Sequence, residues 1–179
     1  MIKAVEKASK SVVRDFGEVE KLQVSKKGPN DFVTKTDKYV EKILIEELSK
    51  MKKNYSIISE EVGKINKKDK ENIWIIDPID GTTNYLHGLP HYCVSIALKY
   101  KGRVELGVIY NPNSDQLFTA IRGSGAKLND RRIRTSNRKG LTGTLIGASP
   151  NKPYNTDMHL TLKDLDSKVA GFRYSGSLA

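Results

Sequence analysis

The sequence is poor in several features that define broad classes of protein. It contains one cysteine, Cys93, so neither a disulfide framework nor a cysteine-based metal site can form within the chain. No apolar stretch approaches the roughly 20 residues that a membrane helix needs. Charged residues interrupt the first seven positions, which argues against a signal peptide. Low-complexity runs and internal repeats are also missing, and we expect a globular protein of the cytoplasm with no membrane partner.

Acidic residues are fewer than basic ones. The chain has 31 Lys and Arg against 21 Asp and Glu, for a net charge of +10. Such a charge favours anionic partners, whether phosphate esters, nucleic acid or other proteins. The basic residues are scattered, with short runs at Lys67-Lys68 and Arg131-Arg132, and no helix-turn-helix or aromatic-interleaved basic patch accompanies them. Nucleic-acid binding is therefore not predicted as the main function.

Two segments near the N-terminus have helical periodicity. Apolar residues at helical spacing predict a helix over Ile2–Phe16, with Val13 in its apolar stripe, and a stronger helix over Thr36–Lys52. Thr36 or Asp37 is the predicted cap of the second helix, whose face opposite the apolar stripe is charged. Between the helices, the segment Lys26–Asp31 has a Gly-Pro-Asn cluster that predicts a loop.

Beyond the second helix the periodicity changes to that of short strands. The predicted strands are Ser56–Ser59, Ile73–Asp77, Cys93–Tyr100, Arg103–Tyr110 and Gln116–Ile121, with a polar loop over Gly63–Asn72. These strands and the two helices predict an N-terminal α+β domain with an antiparallel sheet over residues 1–139. Over residues 140–179, a strand at Thr144–Ser149, a helix at Asp157–Leu165 and a strand from Gly171 predict the incomplete start of an α/β domain.

The segment from Trp74 to Asn84 carries the clearest chemical signal. An apolar strand leads to Asp77 and Asp80 on either side of a Pro-containing turn, and the hydroxyl of Thr82 follows. Two carboxylates beside hydroxyls suit a hard divalent cation such as Mg²⁺ that must also hold a phosphate. Such turns are common, and their carboxylates often only cap the turn. The strand before the turn and the nearby Ser59-Glu60-Glu61 instead favour a metal-assisted phosphatase site.

Four segments together resemble the inositol monophosphatase family of Mg²⁺-dependent, lithium-sensitive phosphatases. They are Asn30–Asp37, Ser59-Glu60-Glu61, Trp74–Leu98 and Gly171–Ala179. The third is highly specific for the family, and His87-Gly-Leu-Pro-His91 within it resembles the bacterial branch. The resemblance implies the layered α-β-α-β-α sugar-phosphatase fold.

The resemblance also implies roles for individual residues. Glu60, Asp77 and Asp80 match the metal-binding carboxylates, and the backbone carbonyl of Ile79 is a further ligand. Thr82, with Asp37 behind it, matches the pair that polarises the attacking water; Glu60 also belongs to this catalytic set. A threonine hydroxyl can donate to a carboxylate and accept from the water.

The substrate would contact a second group of residues. The resemblance implies substrate contacts from Asp80, Gly81, Thr82, Gly176, Ser177 and Leu178. Gly81 and Thr82 would offer backbone N–H groups, which requires the close approach that a glycine permits. Lys26 matches a lysine near the metal site, although a solvated loop lysine is an equal reading.

Several of these residues have simpler interpretations. Glu60 could be a surface charge at a strand end, and a capping role for Asp37 is compatible with a catalytic one. His87 and His91 have Gly, Pro and Tyr neighbours and are interpreted as structural or loop residues. Tyr85 is predicted to pack in the core, and Cys93 to be buried and inert.

The family has a further metal-binding segment, around a Trp-Asp pair, that has no counterpart before Ala179. We therefore expect a weaker second metal site, an unpaired sheet edge that favours association, and reduced or no activity of the chain alone. The implied reaction is in-line attack of a metal-activated water on a phosphate monoester, without a phosphoenzyme.

Inositol 1-phosphate is the first substrate implied. Histidinol phosphate, fructose 1,6-bisphosphate and 3′-phosphoadenosine 5′-phosphate are alternatives. The resemblance also implies a homodimer for the full-length protein. A different class of function remains open, in which the protein joins RNA-polymerase and ribosomal-RNA antitermination complexes and catalysis is secondary.

Overall fold

The computed structural model describes residues 1–16, 24–28, 31–148 and 162–176, with the backbone alone for 24–28 and 31–34. These residues belong to two compact units, 1–134 and 135–178. The first unit contains α1 (Ile2–Asp15), β1 (Val24–Gly28), β2 (Asp31–Thr34), α2 (Lys35–Met51), β3 (Tyr55–Ser59), β4 (Gly63–Ile65), β5 (Asp69–Asp80), α3 (Thr82–Leu86), β6 (Cys93–Tyr100), β7 (Arg103–Asn111), β8 (Gln116–Ile121), β9 (Gly125–Leu128) and β10 (Arg131–Ile133). The second unit contains β11 (Leu145–Ala148) and β12 (Gly171–Tyr174). The domain boundary near residue 139 stays a prediction.

The two predicted helices are confirmed as α1 and α2, with corrections at their faces and ends. Val13 was placed in the apolar stripe of α1 but is 51% exposed, because the buried face is the one that carries Val5 and Val12. Helix α2 begins at Lys35, so Thr36 and Asp37 lie inside its first turn and neither caps it from outside. None of the described helices is both long and apolar enough to cross a membrane.

An eight-stranded sheet dominates the first unit, in the order β10-β9-β8-β7-β6-β5-β3-β4. The predicted antiparallel meander is confirmed for β6, β7 and β8. One pair departs from it, because β3 and β5 run parallel. The short strand β4 turns back along the outer edge of β3, so the chain returns to the other side of β3 in the original direction. The sheet is therefore mixed.

Two segments that were predicted as loops contain strands. Within Lys26–Asp31, residues up to Gly28 belong to β1, which pairs antiparallel with β2. The next two residues of the predicted loop, 29 and 30, lie outside the described residues. The polar segment Gly63–Asn72 contributes β4 and the start of β5. The loop prediction was wrong for these residues because their backbones pair with neighbouring strands. In β4 and the first residues of β5 the side chains are mostly exposed, so they need not be apolar.

The hydrophobic core lies between the helices and the sheet. Its fully buried members include Val5, Val12, Leu44, Leu48, Ile57, Ile76, Val94 and Ile96. Alternate residues of β5 and β6 supply the sheet side, as expected for strands with one face against helices. This packing fixes α2 beside the carboxyl ends of β3 and β5.

The second unit contains a parallel pair. Leu145 pairs with Gly171 and Ala148 with Tyr174, as predicted for the start of a βαβ unit. The structure assigns helix to residues 162–166; the rest of the predicted helix Asp157–Leu165 lies outside the described residues.

Candidate active site

The parallel pairing of β3 and β5 explains why two distant carboxylates meet. Ser59, at the end of β3, pairs with Ile76 of β5. Because parallel strands point their carboxyl ends at the same edge of a sheet, the next residues, Glu60 and Asp77, come side by side. The Glu60 side chain is close enough to Asp77 to help raise the pKa of the Asp77 carboxyl. The fold therefore brings together two residues that the sequence had placed in one metal site.

A bulge at the end of β5 brings Asp80 into the same neighbourhood. Residues three apart on a regular strand face opposite sides of the sheet. Here Asp77 pairs with Ser95 and Asp80 with Cys93, so three steps along β5 match two along β6. The extra residue interrupts the alternation of side chains between the two faces of the sheet, so the carboxylates of Asp77 and Asp80 can lie on the same face. Bulges beside functional sites often have this effect.

Asp77 lies in an environment that disfavours its negative charge. Burial, and then the charges of Glu60 and Asp80, raise the pKa of Asp77 well above its usual range, with smaller effects from its hydrogen bond to Glu60 and from Asp37. Its Oδ1 atom is buried and has no hydrogen-bond partner among the residues that the structure describes. A buried carboxylate oxygen without a partner, among like charges, is a costly arrangement in the absence of a cation.

The residues at this site suit a metal ion. An orphaned carboxylate oxygen and clustered carboxylates are the oxygen donors that Mg²⁺ takes, so the donor set fits. Across residues 1–16, 24–28, 31–148 and 162–176, however, no three Asp, Glu, His or Cys side chains already form a metal-ligating group. Glu60, Asp77 and Asp80 are thus neighbours rather than a closed cage.

Thr82 and Asp37 meet beside the carboxylates, although 45 positions separate them in the chain. The Thr82 Oγ1 lies 3.3 Å from Oδ1 of Asp37 and 2.9 Å from the carbonyl oxygen of Ile79. Asp37 is 1% exposed. A hydroxyl has one proton and can donate to one of these acceptors at a time, so the hydroxyl links the predicted catalytic carboxylate to the predicted metal-binding carbonyl.

Gly81 allows the chain to turn from β5 into α3. Its φ of 91° and ψ of 34° are left-handed and its position is the N-cap of the helix, which favours glycine because it has no Cβ. The carbonyl of Gly81 accepts the N–H of Tyr85 at 2.9 Å. The turn therefore places Thr82 directly after the carboxylates.

Glu41 is a buried carboxylate that the sequence analysis did not single out. The face of α2 opposite the apolar stripe was predicted to be charged, whereas Glu41 is 2% exposed and accepts hydrogen bonds from Ser59, Glu61 and Val62. A signal was available, since Asp37, Glu41, Leu44 and Leu48 recur at helical spacing and share one buried face.

The other residues near the site take the structural roles predicted for them. Tyr85 is fully buried and donates to the carbonyl of Val12 at 3.1 Å. His87 is exposed, and its Nδ1 lies 2.7 Å from the carbonyl of Thr83. The carbonyl of His91 accepts from Asn84.

Cys93 is buried, as predicted, and has one contact that was not expected. Its Sγ lies 3.9 Å from Oδ2 of Asp80, the weak contact that a thiol donor makes. This places an uncharged side chain against one of the predicted ligands.

The remaining predicted substrate residues lie in the second unit. Gly176 has a left-handed φ of 76°. Ser177 and Leu178 lie outside the described residues, and the side chain of Lys26 is not described either. Their predicted roles stay predictions.

A large cavity of the first unit is separate from these residues. Its volume is about 810 Å³ and its lining includes Trp74, Leu98 and Val108 together with the first residues of α1. None of the predicted site residues lines it. The site is therefore defined by the convergence of polar side chains at the end of β5.

Comparison with known proteins identifies the family. The model of the inositol monophosphatase family matches residues 1–177. The chain is 44% identical over 182 residues to inositol-1-monophosphatase of Mesorhizobium japonicum, covering 100% of this chain and 68% of that protein. It is 46% identical over 183 residues to Nus factor SuhB of Pasteurella multocida, covering 99% and 68%.

Solved structures show the same relationship. The crystal structure of extragenic suppressor protein suhB from Bartonella henselae superposes with a TM-score of 0.95 at 46% identity, covering 99% of this chain and 69% of that one. The fold is therefore the one inferred from the sequence, and the family supports phosphatase chemistry. The chain belongs to the inositol monophosphatase family.

Proposed function

We propose that the protein is a Mg²⁺-dependent phosphatase of small phosphate monoesters, with inositol 1-phosphate as its first substrate. The observation that carries the proposal is the meeting of Glu60, Asp77 and Asp80 at the ends of two strands, next to the Thr82–Asp37 pair. The similarity to an inositol-1-monophosphatase supports the choice of substrate.

The proposed metal site uses Glu60, Asp77 and Asp80 with the carbonyl of Ile79. When bound, Mg²⁺ would lower the pKa of a water and neutralise charge on the phosphate and the leaving oxygen. The buried Oδ1 of Asp77 supports a ligand role, because a cation would satisfy it. Asp80 is half-buried and also reaches the substrate in this proposal.

The chain's own residues orient the attacking water. Thr82 accepts a hydrogen bond from that water and donates its single proton to Asp37. These two hydrogen bonds fix the direction in which the lone pair of the water oxygen points. Asp37 is held in the first turn of α2 and excluded from solvent. Glu60 completes the proposed catalytic set as a ligand of the metal.

Substrate contacts extend the proposal beyond the metal site. The backbone N–H groups of Gly81 and Thr82 bind phosphate oxygens, and Gly176, Ser177 and Leu178 contact the rest of the substrate. The left-handed turn at Gly81 supports the first part, since it lets the backbone approach closely. We also propose a cytoplasmic location and a homodimer.

The test is phosphate release from a panel of phosphate monoesters. Inositol 1-phosphate, histidinol phosphate, fructose 1,6-bisphosphate and 3′-phosphoadenosine 5′-phosphate are compared at equal concentration while Mg²⁺ is titrated, with a chelator and lithium as separate controls. We expect fastest release from inositol 1-phosphate, lost with the chelator and reduced by lithium. Metal-independent release would contradict the proposal, and so would no release from any substrate by a folded, full-length protein.

A second candidate is a binding role in transcription complexes. It is favoured by the similarity to Nus factor SuhB proteins and by the net charge of +10. This role predicts salt-sensitive binding to RNA or RNA polymerase that Asp80→Asn leaves unchanged. Binding that disappears with Asp80→Asn would instead connect it to the metal site.

A further inference from the structure

The carboxylate of Glu41 lies inside the protein, where it accepts several hydrogen bonds. Its Oε1 accepts the N–H of Glu61 at 3.0 Å and the N–H of Val62 at 3.1 Å. The hydroxyl of Ser59 donates to the same oxygen. A buried carboxylate is stable only when such donors replace its water, and here all three come from one short segment of chain.

These donors lie on both sides of Glu60. Ser59 ends β3, and residues 60–62 form the turn into β4. Glu60 itself is exposed, and its carboxylate lies beside that of Asp77. The chain is bonded to Glu41 on both sides of Glu60, through the Ser59 hydroxyl before it and the N–H groups of Glu61 and Val62 after it, which limits the directions that the Glu60 carboxylate can take.

The face of α2 that carries Glu41 also carries Asp37, which binds Thr82. Asp37 lies four positions before Glu41, so the two side chains are neighbours on one face of the helix. Asp37 accepts from Thr82 after β5, and Glu41 holds the turn after β3. One rigid helix, packed in the core through Leu44 and Leu48, therefore sets the separation between the predicted water-orienting pair and a predicted metal ligand.

We propose that Glu41 is a positioning residue that holds Glu60 in the orientation required to bind the divalent cation. The inference rests on the proposed function, because it takes Glu60 to be a metal ligand. Glu41 acts through hydrogen bonds to the 59–62 segment and does not touch the metal. Supporting groups of this kind typically contribute roughly 10- to 100-fold to metal affinity.

The test measures Mn²⁺ binding to the whole chain by electron paramagnetic resonance, alongside thermal unfolding. Glu41→Ala removes the acceptor and should weaken Mn²⁺ binding about 10-fold or more. Glu41→Gln keeps an oxygen acceptor in the same place and should bind within about threefold of the wild type. Leu48→Ala is the matched control, since it destabilises the same helix from the core without touching the turn, and its Mn²⁺ affinity should not change.

Glu60→Gln separates failure of this inference from failure of the proposed function. If Glu60→Gln loses Mn²⁺ binding while Glu41→Ala keeps it, Glu41 does not position the ligand and the proposed function stands. If Glu60→Gln binds Mn²⁺ like the wild type, the metal role of Glu60 is wrong and the inference falls with it. A loss in Leu48→Ala equal to that in Glu41→Ala would show a general effect of stability and would also overturn it.

A milder variant covers the case in which Glu41→Ala does not fold. Ser59→Ala removes one of the three donors and leaves the two backbone donors to Glu41 in place. We expect Mn²⁺ affinity to fall about two- to fivefold, a smaller loss than the roughly 10-fold loss expected for Glu41→Ala. Unchanged affinity in this variant, with Glu41→Gln as weak as Glu60→Gln, would contradict the positioning role.

Discussion

Replacing Thr82 with valine tests the water-orienting pair, because valine has nearly the same shape and no hydroxyl. The variant removes the contacts of 3.3 Å to Asp37 and 2.9 Å to the carbonyl of Ile79. A hydrogen bond to a charged group is worth about 1.5–3 kcal/mol, and the long distance to Asp37 favours the lower value. A loss of about 1.5 kcal/mol corresponds to a fall in Tm of roughly 3–6 °C for a chain of this size.

The effect on catalysis should be larger than the effect on stability. A positioned proton acceptor contributes about 100-fold or more to the rate, equivalent to roughly 2.7 kcal/mol in the barrier. We therefore expect kcat to fall at least about 100-fold in Thr82→Val, at a temperature well below its Tm. Thr82→Ser keeps the hydroxyl and should retain most of the activity. A Thr82→Val protein with a lowered Tm but a kcat within about threefold of the wild type would refute the reasoning and leave Thr82 a structural role only.

Three further outcomes follow from the described contacts. Tyr85→Phe should lower Tm by a few degrees, because the carbonyl of Val12 loses its buried donor at about 1–3 kcal/mol, while Mn²⁺ affinity stays unchanged; a fall in affinity would contradict the packing role. The hydrogen bond from Arg14, and to a smaller extent that from Thr36, lowers the pKa of Asp15 in the folded protein. The ionised Asp15 therefore stabilises the fold at pH values above the pKa of the unfolded chain, and this stabilisation is lost as the pH falls through the pKa of the folded protein. Asp15→Asn should thus lower Tm near pH 7 and flatten its decline in acid, and an unchanged acid profile would count against it. Adding Mg²⁺ should raise the Tm of the wild type by mass action, whereas equal Tm values with Mg²⁺ and with chelator would argue against a metal site.

The parts of the site that could be predicted from sequence are those carried by a local pattern. Asp77, Asp80 and Thr82 belong to one short segment, so the local pattern was enough to assign them to one site. The pairing of Glu60 with Asp77 depends on the parallel register of β3 and β5, which no local pattern contains. It was inferred from the family resemblance, and the strand geometry supplies its physical reason.

Glu41 shows why other features could not be predicted. A glutamate on an amphipathic helix is usually solvated, and only its hydrogen bonds to the 59–62 segment explain its burial. The bulge before Asp80 is similar, because it depends on the pairing of β5 with β6. The strand β4 was missed since polar residues at a sheet edge resemble a loop.

The most direct test of the account is phosphate release from inositol 1-phosphate by the wild type and by Asp80→Asn, measured side by side as Mg²⁺ is titrated. Asp80 is half-buried and asparagine keeps its shape, so the fold should survive, as circular dichroism would show. For the full-length protein, the account predicts Mg²⁺-dependent release by the wild type and almost none by Asp80→Asn. Equal release by the two proteins would contradict the claim that these carboxylates form the catalytic metal site.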